Sequence, residues 1–151
     1  PIRDGALRTG RDPAELDLVA PVAVEFTADT AGADAAARRH ADGYAFTIGA
    51  MGSGGAGGRN FYNDAFTRLG YGQQVARVVE LWQSGRRDEA RAAVPIDLGR
   101  LTNLVGTDDW IIERVRAYAD TGITTLLAKL DGDFPAQLAT LKRLLDAVRR
   151  A

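Results

Sequence analysis

The sequence predicts an α/β fold, and within that class the C-terminal portion of a (β/α)8 barrel. Residues 16–26 (LDLVAPVAVEF) and 123–130 (ITTLLAKL) are apolar runs of the kind that forms parallel strands buried on both faces. A helical pattern follows each run, which is the strand–helix order of a barrel. Two such strands cannot complete a parallel sheet, because their edges would stay open. We therefore expect the 151 residues to be one segment of a larger barrel domain, and a chain that starts at Pro1 fits that expectation.

The N-terminal third of the chain predicts a turn, a strand and a helix. Asp12 before Pro13 has the pattern of a helix cap followed by proline at the first helical position. Pro21 lies inside the first apolar run and lacks a backbone N–H, so contact with one neighbouring strand must be broken there. Residues 30–48 are rich in alanine and predict a helix.

Helical signals fill the middle of the chain. Asn60 can cap a helix that Gly70 ends, and its apolar positions are Phe61, Ala65 and Leu69. The apolar residues of the next helix recur at i, i+3, i+4 and i+7, and they are Val75, Val78, Val79 and Trp82. A short helix over residues 87–94 ends before Pro95.

The last third has the most regular pattern. Thr107 or Asp108 can cap a helix that ends at Gly122, and its core-facing residues are Ile111, Ile112, Val115 and Tyr118. The second strand and a turn over residues 131–133 follow. A closing helix then has five residues that we expect to face inward: Leu138, Leu141, Leu144, Leu145 and Val148.

The composition argues against several classes of protein. A net charge of −1 gives no electrostatic reason to bind nucleic acid or an anionic membrane. No apolar run approaches the roughly 20 residues of a membrane span, and no signal-peptide pattern is seen. The chain has no cysteine, which fits a cytoplasmic protein. His40 is the only histidine, so we expect no metal site and interpret it as a packed or helix-surface residue.

The segment 49–63 (GAMGSGGAGGRNFYN) is rich in glycine and has the spacing Gly52-x-Gly54-x-x-Gly57. A dinucleotide fingerprint needs a strand directly before it, whereas a helix precedes this one. A P-loop needs Gly-Lys followed by Ser or Thr where this chain has Gly58-Arg59. Two interpretations stay open: an anion-binding loop at the start of the next helix, or a surface loop without a ligand.

Two charged residues lie at the carboxyl ends of the predicted strands, which is the face that carries the active site in barrels. Glu25 ends the first apolar run, and Lys129 occupies the equivalent place in the second. The alternative is that each side chain only emerges into solvent, and the pattern favours neither reading. No nucleophile elbow or Ser-His-Asp set is present to support hydrolase chemistry.

Three long motifs resemble the C-terminal part of luciferase-like monooxygenases. They are GAMGS, GRNFYNDAFTRLGYGQQVARVVELWQSGRRDEARAAVP and LVGTDDWIIERVRAYADTGITTLL. The branch they resemble is that of deazaflavin-dependent oxidoreductases related to methylene-tetrahydromethanopterin reductase. The resemblance implies a (β/α)8 barrel in which the two apolar runs are the last two strands and residues 44–105 form a helical insertion before the last strand.

The resemblance also implies a function and a set of site residues. The full-length enzyme would transfer hydride between reduced deazaflavin (coenzyme F420) and a small organic substrate, with FMN as the alternative coenzyme. Met51, Gly52, Ser53, Asn60 and Tyr62 match the family pattern and are expected near the substrate. Three further residues are predicted for the same pocket: Arg59 as a partner for an anionic group, with Glu25 and Lys129 at its mouth.

Open sheet edges and the partial barrel also predict the partners of the chain. We expect the missing N-terminal half of the same protein to be one partner, a homo-oligomer to form, and the 151-residue chain alone to be inactive. A different class of function stays open: a non-catalytic helical interaction module that kept the family's C-terminal part.

Overall fold

The computed structural model describes residues 2–51 and 60–151. Arg59, Gly52 and Ser53, which the sequence analysis singled out, lie outside the described residues, as do the glycines at 54, 55, 57 and 58. The helices are α1 (Ile2–Arg8), α2 (Thr30–Gly49), α3 (Phe61–Phe66), α4 (Gly72–Gln83), α5 (Arg87–Ala93), α6 (Ile96–Leu101), α7 (Asp108–Asp120) and α8 (Phe134–Arg150). The strands are β1 (Val19–Phe26), β2 (Leu104–Gly106) and β3 (Thr125–Lys129).

The described residues form one parallel sheet in the order β2-β1-β3. Val24, Glu25 and Phe26 of β1 pair with β2, while residues 19–23 pair with β3. The two apolar runs correctly predicted β1 and β3, whereas β2 was not predicted, because three residues are too few to show a period. The prediction that β1 and β3 are consecutive strands is therefore wrong.

The strand order also differs from that of a barrel, where successive strands are neighbours. Here β3 pairs with β1 rather than with β2. The lengths of the strands explain this pairing. Five residues of β3 pair with the free edge of β1, whereas β2 has only three residues with which a strand could pair.

Pro21 behaves as the missing donor predicts. Pairing between β1 and β2 begins only at Val24, so Pro21 has no partner on that edge. The backbone N–H of Ala23 on the same stretch donates to Asn103 Oδ1 at 3.1 Å. Asn103 is the buried polar residue among those described, and this bond explains its position, because a buried amide must be paired.

Most predicted helices are confirmed with small changes at their ends. Asp29, Thr107 and Asp133 accept hydrogen bonds at the starts of α2, α7 and α8. The predicted stop at Gly70 is a kink with φ +97° between α3 and α4. Two of the expected apolar positions are exposed, namely Phe61 in α3 and Leu69 in the segment that follows it, and Phe66 is the buried residue of α3. Helix α6 was not predicted.

The closing helix differs from prediction in the residues that it buries. Leu144 and Ala147 of α8 are buried, as was expected for Leu144. The other four residues predicted to face inward are exposed, namely Leu138, Leu141, Leu145 and Val148. The periodicity correctly marked an apolar face, but no described element covers this half of it.

The buried residues form two separate clusters. One lies under the sheet between β1, β2, α7 and α8 and includes Val22, Leu104 and Ile111. The other joins the second half of α2 to α4, α5 and α6 and includes Ile48 and Leu98. Within the described part of the chain, no helix is long and apolar enough to cross a membrane, and no cluster of His, Cys, Asp and Glu could hold a metal ion.

Candidate functional site

Glu25 lies near the carboxyl end of β1 and contacts two basic side chains of α2. Its neighbours Val22 and Val24 are buried against α7 and α8, so alternation turns Glu25 to the other face of the sheet. Its Oε1 accepts a hydrogen bond from Arg39 Nη2, and its Oε2 lies 3.4 Å from His40 Nε2. A single carboxylate therefore contacts both a guanidinium and an imidazole of α2.

His40 is a packed helical residue, as the sequence predicted, with a side chain that is 21% exposed. Its carboxylate partner was not predicted, because residues 25 and 40 are too far apart in sequence for any pattern to connect them. Among the described residues, no second histidine or cysteine accompanies it.

Lys129 shares a face of the sheet with Glu25. The register pairs Lys129 with Ala23, two residues before Glu25 on the same side of β1. From the rise along a strand and the spacing between strands, the two Cα atoms are roughly 8 Å apart. The prediction that both residues lie at the carboxyl ends of strands is thus confirmed. Whether they bind a ligand stays a prediction.

An open cleft of about 490 Å³ lies at this end of the sheet. Its volume is within the range of about 300–1,000 Å³ that is typical of small-molecule sites. The lining residues are Glu25 and Phe26 from β1, Arg39 from α2, Asp131 from the turn after β3, and Thr140 and Arg143 from α8.

Arg143 forms one wall of this cleft and ties α8 to the start of α7. Its guanidinium carbon lies 4.4 Å from the centroid of the Phe26 ring. Its Nε donates to Asp108 Oδ1 at 2.8 Å and its Nη2 donates to Oδ2. These bonds lower the pKa of Asp108 and raise the pKa of Arg143. The pair therefore stays ionised over the physiological range and holds the wall in place.

A second cavity, of about 160 Å³, adjoins the start of α7. Gly106 in its lining has φ +154°, and a Cβ there would lie 2.6 Å from Trp110 Cδ1, so only glycine fits. Two buried N–H groups of lining residues, Arg100 Nε and Trp110 Nε1, have no hydrogen-bond partner among the described residues. The volume is too small for a drug-sized ligand but is sufficient for a few waters.

Asn60 holds the start of α3 against the end of α2. Its Oδ1 accepts hydrogen bonds from the backbone N–H groups of Tyr62 and Asn63, as predicted for a cap. Its amide nitrogen donates to Thr47 O at 2.8 Å and to Ile48 O at 3.2 Å. The Asn60 side chain thus makes four hydrogen bonds, two that cap α3 and two that join it to the end of α2.

The predicted site residues fall in two places. Met51 and Tyr62 are exposed and lie with Asn60 where α2 ends and α3 begins. Arg39, which contacts Glu25, is 11 residues before Ala50 along α2, a helical distance of roughly 16 Å. The described residues therefore bring Glu25 and Lys129 together and leave Met51, Asn60 and Tyr62 apart from them.

Comparison with known proteins shows to which family these elements belong. The family model for luciferase-like monooxygenases matches residues 1–125. The chain belongs to the luciferase-like monooxygenase family. Lys129 and α8 lie beyond the matched residues, whereas Glu25, Asn60 and Tyr62 lie within them.

This luciferase-like chain is also similar to a Mycobacterium tuberculosis protein named "Putative coenzyme F420-dependent oxidoreductase". The two are 32% identical over 125 residues, which cover 83% of this chain and 33% of the relative. The luciferase-like chain therefore spans about a third of the length of that relative.

The sequence of this luciferase-like chain gave no signal for the residues that line the cleft from other elements. Arg39, Asp131 and Arg143 look like solvated charges in the sequence, because each belongs to a polar helix face or a turn. The expectation of an acidic residue at a strand end led to Glu25 alone. A search for basic residues on the elements that adjoin that strand end would have found Arg39 and Arg143.

Proposed function

We propose that this chain is the C-terminal portion of a (β/α)8-barrel oxidoreductase that transfers hydride between reduced coenzyme F420 and a small organic substrate. The observation that carries the proposal is the family match over residues 1–125 together with the similarity to the mycobacterial relative. The cleft of about 490 Å³ at the carboxyl ends of the strands is consistent with it, because barrel enzymes have their active sites at that end.

The proposal requires further strands from a longer polypeptide, which would be a partner of this segment. The three strands in the described part of the chain are parallel, and parallel sheets occur with neighbours and helices on both sides. In a barrel built in chain order, β2 would lie between β1 and β3. We therefore expect β3 to exchange its pairing with β1 for one with β2 when the further strands are present.

The helical insertion is the second structural part of the proposal. The buried cluster that joins α2 to α4, α5 and α6 is formed by residues between Ala41 and Leu98 and has no member from the sheet. This range is close to the proposed insertion at 44–105. Gly99 lets α6 approach α2 so closely that a Cβ would lie 2.0 Å from Ala37 O. A separately packed helical unit is the form in which an insertion can be added to a barrel without altering its core.

The cleft fits part of a deazaflavin. Its volume suits a small-molecule group, Phe26 offers an aromatic surface, and Arg39 and Arg143 offer N–H donors for polar substituents. Bound deazaflavin would supply the hydride, and the residues of this chain would orient it and exclude water. Glu25, in contact with both Arg39 and His40, would be a polar group of this chain at the mouth of the pocket.

FMN is the alternative coenzyme, since the family is named for monooxygenases. The non-catalytic module is the alternative from another class. One observation favours it: both arginines of the cleft already have carboxylate partners, Glu25 for Arg39 and Asp108 for Arg143. An anionic coenzyme would have to share these cations.

Binding of the two coenzymes by the whole product of the reading frame tests the proposal. We expect coenzyme F420 to bind in a fluorescence titration and FMN to bind at least about tenfold more weakly, a difference of about 1.4 kcal/mol. Glu25→Gln and Lys129→Gln should weaken F420 binding. The matched controls are Glu113→Gln and Lys142→Gln, whose side chains do not line the cleft, and they should leave F420 binding unchanged. Tighter binding of FMN would favour the alternative coenzyme, and binding of neither would favour the interaction module.

A further inference from the structure

The cavity of about 160 Å³ between α2, α6 and α7 contains hydrogen-bond donors that the described chain leaves unused. Arg100 Nε and Trp110 Nε1 are buried and have no hydrogen-bond partner among the described residues. The hydroxyl groups of Thr30 and Thr107 also line the cavity and can donate. A buried N–H group without an acceptor is unfavourable. The cavity therefore calls for an acceptor that the described chain does not supply.

The missing acceptor should bring no donors of its own. The unpartnered groups of Arg100 and Trp110 can only donate. A water molecule that accepted from them would still need acceptors for its own two hydrogens. The carbonyl oxygens of Gly106 and Thr107, which belong to the lining residues, already accept backbone hydrogen bonds. An anion needs no such acceptor, and hydrogen bonds from a guanidinium to an anion are among the strong ones.

The charge of Arg100 is only partly matched within the chain. Its Nη2 contacts Asp34 Oδ1, but the Asp34 side chain is 53% exposed, so solvent screens this pair. Asp108 and Asp109 at the start of α7 contact arginines of α8. Among the described residues that line the cavity, Arg100 is the charged one, and no carboxylate is present to repel an anion.

We propose that this cavity binds a small tetrahedral oxyanion, with inorganic phosphate or sulfate as the class of ligand. Arg100 Nε, Trp110 Nε1 and the hydroxyls of Thr30 and Thr107 would donate to its oxygens. The volume of about 160 Å³ is that of roughly five water molecules in the liquid. A tetrahedral oxyanion has five non-hydrogen atoms and is of matching size.

The oxyanion site is separate from the cleft in which we propose that the coenzyme binds. The cleft and the cavity have no lining residue in common. The lining of the cavity comes from α2, α6, α7, β2 and the residue that follows β2. A change in the pairing of β3 would remove none of these residues, so the site is compatible with the barrel.

Calorimetric titration of the whole product of the reading frame with inorganic phosphate tests the site, with potassium chloride holding the ionic strength constant. We expect saturable binding. Arg100→Gln and Trp110→Phe each remove one of the unpartnered donors. Either change should weaken phosphate binding about tenfold or more, because the lost hydrogen bond is to a charged ligand.

The matched controls are one arginine and one tryptophan outside the cavity. Arg114 also has a buried Nε without a partner among the described residues, but it does not line the cavity. Trp82 packs against the helical cluster. Arg114→Gln and Trp82→Phe should therefore bind phosphate as the unmodified protein does.

Two outcomes of the titration would overturn the proposal. The absence of saturable binding up to tens of millimolar phosphate would assign the cavity to water. Binding that Arg100→Gln and Trp110→Phe leave unchanged would place the anion elsewhere. Because the two variants remove donors from different helices, a failure of one to fold leaves the other as the test.

Titration with coenzyme F420, with and without phosphate, separates this proposal from the proposed function. We expect phosphate to leave the affinity for F420 unchanged, and competition between the two would overturn the separate site. Phosphate binding by a protein that does not bind F420 would leave the oxyanion site standing and reject the proposed enzyme. Binding of F420 without phosphate binding would do the reverse.

Discussion

Gly99→Ala should destabilise the helical cluster through the contact between α6 and α2. A Cβ at residue 99 would lie 2.0 Å from Ala37 O and 2.8 Å from Ala41 N. Both atoms belong to the backbone of α2, so no side-chain rotation can relieve the clash. The oxygen would have to move away by roughly 1.4 Å to reach ordinary contact at 3.4 Å. Overpacking of this kind costs about 1–3 kcal/mol or more, and a clash with backbone belongs at the upper end.

The helix preference of alanine offsets part of this cost. Alanine is better than glycine inside a helix by about 1 kcal/mol, so we expect a net loss of about 2 kcal/mol in the free energy of unfolding. In urea this corresponds to a midpoint lower by about 1 M. Gly43→Ala is the matched control, since Gly43 lies in α2 and a Cβ there would meet nothing within 4 Å. Gly43→Ala should raise the free energy of unfolding by about 0.5–1 kcal/mol and so move the urea midpoint upwards. A Gly99→Ala chain as stable as the unmodified chain would refute the close approach of the two helices.

Three further predictions follow from individual contacts. Ile111→Ala removes a fully buried side chain and should lower the free energy of unfolding in urea by about 2–5 kcal/mol. Leu145→Ala, at a half-exposed position of α8, should lower it by less than about 1 kcal/mol in residues 1–151. Equal losses would contradict the exposure of Leu145. Asn60→Ala removes the cap of α3 and its bonds to α2, and should lower thermal stability by about 1–2 kcal/mol; an unchanged melting temperature would show that the cap does not form. The pKa of Asp108 is lowered because Arg143 donates hydrogen bonds to it. The pair therefore stabilises the fold fully at pH values above the unfolded pKa of about 4. This stabilisation is lost as the pH falls through the lower pKa of the folded state. Arg143→Gln should therefore cost less than about 1 kcal/mol near pH 7, since the pair is exposed, and progressively less as the pH falls below the unfolded pKa of about 4. A loss that does not change with pH would contradict the linkage.

Local patterns in the sequence predicted the elements whose signals lie within one segment. The capped helices α2, α7 and α8 and the apolar strands β1 and β3 are examples, because periodicity and caps act over a few residues. Strand β2 was missed since three residues carry no period. The pairing of β3 with β1 could not be predicted either, because strand order depends on which edges are free in three dimensions.

The candidate site was predictable only at the strand ends. Glu25 and Lys129 were found because each ends an apolar run, and the carboxyl ends of strands carry the active site in barrels. Arg39, His40 and Arg143 reach the same region from helices whose sequence gives no indication of it. Their positions depend on how α2 and α8 pack on the sheet.

The inward residues of α8 show a different limit. The apolar residues of α8 correctly predicted an apolar face, yet four of the five residues predicted to face inward are exposed in the described chain. A periodic pattern reports that a face is buried in the assembled protein and does not name the element that buries it.

The central claim is that this chain is one segment of a deazaflavin-dependent barrel enzyme. Its most direct test is to follow the oxidation of reduced coenzyme F420 by the whole product of the reading frame and by residues 1–151, side by side, with a panel of small carbonyl and alkene substrates. The account predicts hydride transfer by the whole product and none by residues 1–151. Turnover by the 151-residue chain alone would contradict the account. A folded whole product that shows no turnover would contradict it as well.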